Sequence, residues 1–137
     1  MFDKYPAKEN NPFAKIIDFG YCKMEKVQKK PNMFYNVGSP RYMSPEAYKE
    51  NIYSEKSDIW SIGIIFYEMV TGSTFDKGKE IAEVFQAIRE KGIPIPSKLS
   101  RKSKKLIQYM LMYSPFKRAT CEDLLKYIHE DELQSKF

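Results

Sequence analysis

The sequence predicts a mainly α domain with a small β element at its start, and three observations carry the prediction. Apolar residues run almost unbroken from position 59 to 72 (IWSIGIIFYEMVTG). Further on, three stretches repeat their apolar side chains at helical spacing. One β-branched run, Phe13-Ala14-Lys15-Ile16-Ile17, lies near the beginning and reads as a strand. The length of 137 residues suits one domain that buries about two-thirds of its unfolded surface. With 42% hydrophobic and 15% aromatic residues, global disorder is excluded.

Each element has its own signal. Residues 1–12 mix Asn, Pro, Lys and Glu without periodicity and read as a loop or a frayed tail. The strand at 13–17 is closed by Asp18-Phe19-Gly20, and residues 21–36, rich in lysine and without an apolar period, read as an extended surface segment. Gly38-Ser39-Pro40 and Ser44-Pro45-Glu46 punctuate the chain beyond it, the second as a helix start with Pro at the first position. Ser57 is the expected N-cap of the apolar helix, with Asp58 in the first turn where the helix dipole favours a negative charge, and Gly72 stops it. A helix apolar all round is expected to be buried all round, which makes Trp60, Ile64, Ile65 and Phe66 core. Ile81, Val84, Phe85 and Ile88 form the next stripe, ended near Gly92 and the Pro94/Pro96 pair. Ser100 caps a helix carrying Leu106, Ile107, Met110 and Leu111, stopped before Pro115. Thr120-x-x-Asp123 has the form of a capping box for a last helix with Cys121, Leu124, Leu125 and Ile128 inward. Four to five helices result.

Several function classes are set aside by composition. Net charge is +5 and pI about 9.1, but the lysines are loosely spread and read as solvated faces rather than a nucleic-acid patch. Cys22 and Cys121 offer neither metal-ligand spacing nor a disulfide framework, and His129 is the sole histidine. The expected setting is reducing, intracellular and cytoplasmic. The uncharged stretch 59–67 is far short of the ~20 residues a membrane span needs, and MFDKYPAKENNPF contains no secretory h-region.

Four motifs stand in order along the chain. Asp18-Phe19-Gly20 follows a strand; Gly38-Ser39-Pro40-Arg41-Tyr42-Met43-Ser44-Pro45-Glu46 comes next; then Ser57-Asp58-Ile59-Trp60-Ser61-Ile62-Gly63; then Arg118 before a capped helix. Together they resemble the C-terminal lobe of a eukaryotic protein kinase of the Ser/Thr type, over about residues 13–128. The α+β kinase fold would then be represented here without its N-terminal lobe: 1–12 as a linker remnant, 13–131 as a partial kinase domain, 132–137 as a tail. The resemblance implies that Asp18 holds Mg²⁺ against ATP phosphates, that Phe19 packs differently in active and inactive states, and that Gly20 lets the backbone turn. It makes residues 18–46 the activation segment, with Ser39 bonding the catalytic aspartate and residues 38–43, including Pro40 and Tyr42, forming the wall that receives substrate. Arg41 could face solvent or substrate. Glu46 and Arg118 would form a buried structural ion pair, Asp58 would orient the catalytic loop, and Trp60 would be core. Plainer readings stand beside these: a strand-end turn at Asp18, a turn residue at Ser39, a helix-start charge at Asp58, unrelated surface charges at Glu46 and Arg118. No serine or threonine lies between Tyr21 and Gly38, so this segment is not expected to be switched by Ser/Thr phosphorylation.

What the resemblance also requires is missing from these residues. No glycines are spaced G-x-G, no His-Arg-Asp precedes Asp18, and no strand lysine with its glutamate can be assigned. The expectation is therefore a catalytically incomplete part of an ATP-dependent Ser/Thr kinase. Mg²⁺, ATP and a protein substrate belong to the intact enzyme, and a covering partner is expected for core left exposed. A non-catalytic interaction module, docking through the 81–88 stripe and the 38–43 wall, is the alternative; a basic nucleic-acid binder comes third.

Overall fold

A helix with apolar side chains on every side needs neighbours on several, and the helical part of this protein is arranged around one. The structure, a computed structural model, describes residues 2–4, 12–22 and 38–134, in two units that divide between Met33 and Phe34. The expected extended segment at 21–36, including the stretch without Ser or Thr, lies largely outside the described residues, as does the end of the tail.

The first unit is a two-stranded antiparallel ladder. β1 (Phe2–Lys4) pairs with β2 (Pro12–Ala14) in the register Phe2↔Ala14, Asp3↔Phe13, Lys4↔Pro12. Residues 2–4 and 12, within the stretch expected as a loop, are thus in strands, residues 5–11 lie outside the described residues, and the strand expected over 13–17 ends at Ala14. The reason is the partner: β1 is three residues long, so only three positions opposite it can join a ladder, and Ile16 and Ile17 continue unpaired and exposed. Phe2-Asp3-Lys4 carries no periodic signal by which such a strand could be recognised. Pro12 sits at the first position of its strand, where a missing N–H is tolerated.

In the second unit α1 (Pro45–Glu50), α2 (Glu55–Thr71), α3 (Ile81–Lys91), α4 (Arg101–Met110) and α5 (Cys121–Gln134) follow in order. Their starts are chemically specified. Ser44 Oγ accepts from Ala47 N–H, with Pro45 first in α1. α2 begins three residues earlier than expected, because Ser54 is its cap and Ser57 the reciprocal member of a capping box: Ser54 Oγ accepts from Lys56 N–H while Ser57 Oγ accepts from Ser54 N–H. Ser100 Oγ accepts from Ser103 N–H at the head of α4, and Thr120 and Asp123 exchange hydrogen bonds of 2.8 and 3.1 Å at the head of α5.

Two clusters fill the interior. Trp60, Ile64 and Tyr67 of α2 meet Phe75, the whole 81–88 stripe of α3, and Ile107 and Leu111. Edge-to-face rings knit this cluster, with Trp60 5.9 Å from Phe85 and Tyr67 5.3 Å from Phe75. On the other face of α4, Leu106 and Met110 join Ile59 and Leu124. Each such side chain removed from water is worth ~1.5–3 kcal/mol.

α2 is not buried all round. Ile62, Ile65 and Met69 are exposed by 51%, 50% and 74%, so Ile65 is corrected from core to surface, while Phe66 is half-buried. In α5 only Leu124 of the four expected inward residues is buried; Cys121 and Leu125 are exposed and Ile128 is half-buried. That helix rests on α4 over a narrow strip, where Tyr109 and Tyr127 meet edge to face at 5.6 Å. Among the described residues no helix is long and apolar enough to cross a membrane.

Gly63 sets how closely α2 and α4 approach. A Cβ there would lie 2.7 Å from Leu111 Cδ2 and 2.8 Å from Met110 Cβ, closer than carbon atoms tolerate. Intrinsic helix preference favours alanine over glycine by about 1 kcal/mol, but overpacking costs ~1–3 kcal/mol. Gly63→Ala is expected to lower the thermal midpoint, measured by circular dichroism; a raised midpoint would contradict the close approach.

Candidate functional site

In the first unit, Asp18 adopts a left-handed backbone conformation (φ 63°) and caps a 3-10 turn, Phe19–Tyr21. Aspartate tolerates that region because its short carboxylate bonds locally; here Oδ1 accepts from Gly20 N–H at 3.4 Å. A Cβ at Gly20 would come within 3.3 Å of the same oxygen. Asp18 and Phe19 are exposed.

The second unit collects most of the other expected residues on one continuous stretch. Gly38 takes φ 109°, a conformation that other residues rarely adopt. Ser39 precedes a 3-10 turn, Pro40–Tyr42, and its exposed side chain makes no capping bond. Arg41, left between solvent and substrate by the sequence, instead pairs with Asp76: Nε lies 2.8 Å from Oδ2. The Asp76 carboxyl is held below its usual range first by the Gly78 amide and then, against some burial, by Arg41. Tyr42 donates its hydroxyl to Glu68 Oε2 at 3.2 Å, and Ser61 Oγ donates to the Tyr42 carbonyl at 2.8 Å. Burial and the Glu68 charge push the Tyr42 phenol up. The other Glu68 oxygen accepts from Phe75 N–H at 3.1 Å.

The 38–46 stretch thus rests on α2 through Tyr42 and on the following loop through Arg41. Sequence reasoning misses Ser61, Glu68 and Asp76 as members of this site. They lie 19 to 35 positions away in sequence (61 − 42, 76 − 41), and nothing local to them says what they will meet.

Glu46 and Arg118 come together in the interior. Arg118 Nη1 lies 2.7 Å from Oε1 and Nη2 3.0 Å from Oε2, a two-pronged pair in which Arg118 is 2% exposed and Glu46 8%. The guanidinium also donates to the carbonyls of Lys56 (2.7 Å), Met112 (3.0 Å) and Tyr113 (3.3 Å), and its carbon lies 5.0 Å from the Trp60 ring centre. Ser57 Oγ donates to Glu46 Oε1, so the residue that completes the α2 capping box also supports the pair. Burial alone would raise the Glu46 carboxyl; hydrogen bonds from Arg118, from its own backbone amide and from Ser44 outweigh it and hold the group below its usual range.

Asp58 stands in the first turn of α2 with its side chain exposed. Partial desolvation and then the neighbouring Glu55 charge raise its pKa. Trp60 is fully buried at the centre of the core.

Removing one partner of the buried pair strands the other. Arg118→Ala is expected to destabilise the protein by ~3–5 kcal/mol, read from urea unfolding; a loss below ~1 kcal/mol would mean water already screens the pair. Because the folded-state Glu46 carboxyl titrates below its unfolded value, its contribution is complete above the ordinary glutamate range and falls away as pH drops through the lower folded value. Glu46→Gln is therefore expected to flatten the acid limb of the stability–pH curve.

Comparison with known proteins gives a family and several relatives. The family described as protein kinase domain matches residues 6–129. Over 117 residues the chain is 33% identical to serine/threonine-protein kinase atg1 of Dictyostelium discoideum, covering 85% of this chain and 17% of that protein. Over 118 residues it is 38% identical to the probable serine/threonine-protein kinase MARK-A of the same organism, covering 85% and 11%. Over 106 residues it is 36% identical to mouse serine/threonine-protein kinase N3, covering 77% and 12%. The chain thus spans between 11% and 17% of the length of these relatives. It belongs to the protein kinase domain family.

Proposed function

We propose that these residues form the C-terminal-lobe part of an ATP-dependent Ser/Thr protein kinase, the enzyme that moves the γ-phosphoryl group of ATP to a serine or threonine of a protein. In this reading the part is catalytically incomplete by itself. The single observation that carries it is the buried Glu46–Arg118 pair, which ties the end of the 38–46 segment to the head of α2 and the turn before α5. That segment is then the wall against which a substrate peptide lies, with Tyr42 and Arg41 anchoring it from behind and Ser39 exposed at its entrance.

Asp18 fits a magnesium site as one ligand of several. Its carboxylate is exposed, one oxygen is already turned by the Gly20 amide, and the hard-oxygen chemistry is right. Among the described residues no three acidic, His or Cys side chains gather into a metal site, so the remaining ligands would be phosphate, water and residues beyond those described. Bound there, Mg²⁺ would neutralise charge on the ATP phosphates. Phe19 and Gly20 would set the position of Asp18, and Asp58, exposed with a raised pKa at the head of α2, would be free to accept backbone amides of a catalytic loop.

Phosphoryl transfer rests on positioning and charge stabilisation, so a phosphate-covering loop, a lysine clamp and a catalytic aspartate cannot be replaced by the residues present. Of the two surfaces the interaction-module reading would use, the 81–88 stripe is core and the 38–43 wall remains.

The polypeptide carrying this sequence, immunoprecipitated from its native source, is expected to run above 16.2 kDa and to label serine or threonine of added protein from radiolabelled ATP. Asp18→Asn is expected to lower that labelling by at least ~100-fold. A native species of 16.2 kDa that neither labels protein nor changes its melting temperature with ATP and Mg²⁺ would overturn the reading in favour of a non-catalytic module.

A further inference from the structure

Away from the 38–46 segment, one hollow combines an apolar floor with charge of a single sign. It lies between the C-terminal end of α3 and the end of α4, with a volume of about 530 Å³. Leu111, Ile93 and Ile95 supply its floor, the first buried and the others half-buried. Arg89 and Lys91 reach its rim from the last turn of α3, and Lys117 from a separate 3-10 turn, Pro115–Lys117. Among the described residues no aspartate or glutamate lines it.

Arg89 and Lys91 have a local explanation, since cations suit a helix C-terminus. Lys117 stands in the last turn of a separate three-residue 3-10 helix, so the cations at this opening come from two elements rather than one. None of the three is in an ion pair among the described residues. The nearby Glu90 is engaged along its own helix with the Gln86 side-chain amide. Three cations with no ion-pair partner among the described residues raise the local potential, and Ile93 and Ile95 beside them are only half-buried.

We propose that this cleft is a docking site for an acidic, amphipathic peptide segment of a partner protein. An aliphatic side chain of that segment seats over Ile93, Ile95 and Leu111, and its carboxylates meet Arg89, Lys91 and Lys117. The volume fits a few side chains rather than a folded surface. A nucleic-acid backbone would satisfy the cations but leave the apolar floor uncovered, and a purely apolar segment would cover the floor but leave the cations unpaired. Rim charges of this kind contribute modestly and act strongly on selectivity and association rate.

The test uses the whole chain and a fluorescein-labelled peptide in which two leucines are flanked by aspartates and glutamates, followed by anisotropy. Saturable binding is expected, weakened about tenfold by Arg89→Glu/Lys117→Glu and falling as salt rises. The control Lys79→Glu/Lys126→Glu, with the same change in net charge at exposed positions off the cleft, is expected to bind as the parent does. Circular dichroism melting checks that both double variants remain folded. The proposal is overturned if both double variants weaken binding equally, if the peptide with Gln and Asn in place of its acids binds as well, or if a short DNA duplex binds more tightly than the peptide and loses affinity with the same cleft variant.

Discussion

A guanidinium removed from water is costly unless every donor is met, and Arg118 is removed almost completely. Its charge is balanced by Glu46, and its further donors are taken by carbonyls of Lys56, Met112 and Tyr113. These partners come from the start of α1, the head of α2 and the turn after α4. The turn after α4 is distant in sequence from the other two, so the arginine fixes a meeting that apolar packing alone would allow to slide. The pair need not add much net stability over a well-packed apolar substitute; what it adds is a single permitted geometry.

Other features depend on that fixed point. With Glu46 anchored, the chain immediately before it must lie along α2, and Ser61 and Glu68 present an acceptor-seeking hydroxyl and a carboxylate along that line to receive Tyr42. Arg41, one residue earlier, then falls within reach of Asp76, whose turn is closed by Gly78. The exposed 38–40 stretch is therefore held from below by bonds to the helical core while its upper side stays open. A surface meant to receive another chain benefits from such backing, because less ordering is required at the moment of contact.

Much of this is legible in the sequence, and for identifiable reasons. The 81–88 stripe, the Thr120–Asp123 box and the Ser44-Pro45 helix start are local signals, complete within a few residues, and the structure has all three. Glu46 and Arg118 lie 72 positions apart, and only family resemblance can join them. Where reading fails, the deciding partner is distant or the signal ambiguous. Ser54 and Ser57 both suit a cap, and hydrogen-bond reciprocity, invisible in a string of letters, makes the first the cap. β1 is too short to show a period. Arg41 cannot be placed from sequence because Asp76 sits in a loop whose path depends on α2 and α3 already being packed.

The exposed Ile62, Ile65 and Met69 are the counterpart of that success: α2 carries more apolar surface than its described neighbours cover. The buried pair nevertheless remains the joint of the helical unit, and that role is open to one direct measurement. Backbone amide exchange should be followed residue by residue in Arg118→Lys, which keeps the charge but loses the two-pronged geometry. Protection of Tyr42, Met43, Tyr48 and Asn51, all bonded within or beside the anchored segment, is expected to fall far more than that of Gly92 and Leu111 in the α3–α4 core. Equal loss in both regions, or no loss in either, would contradict the pair's role as a joint.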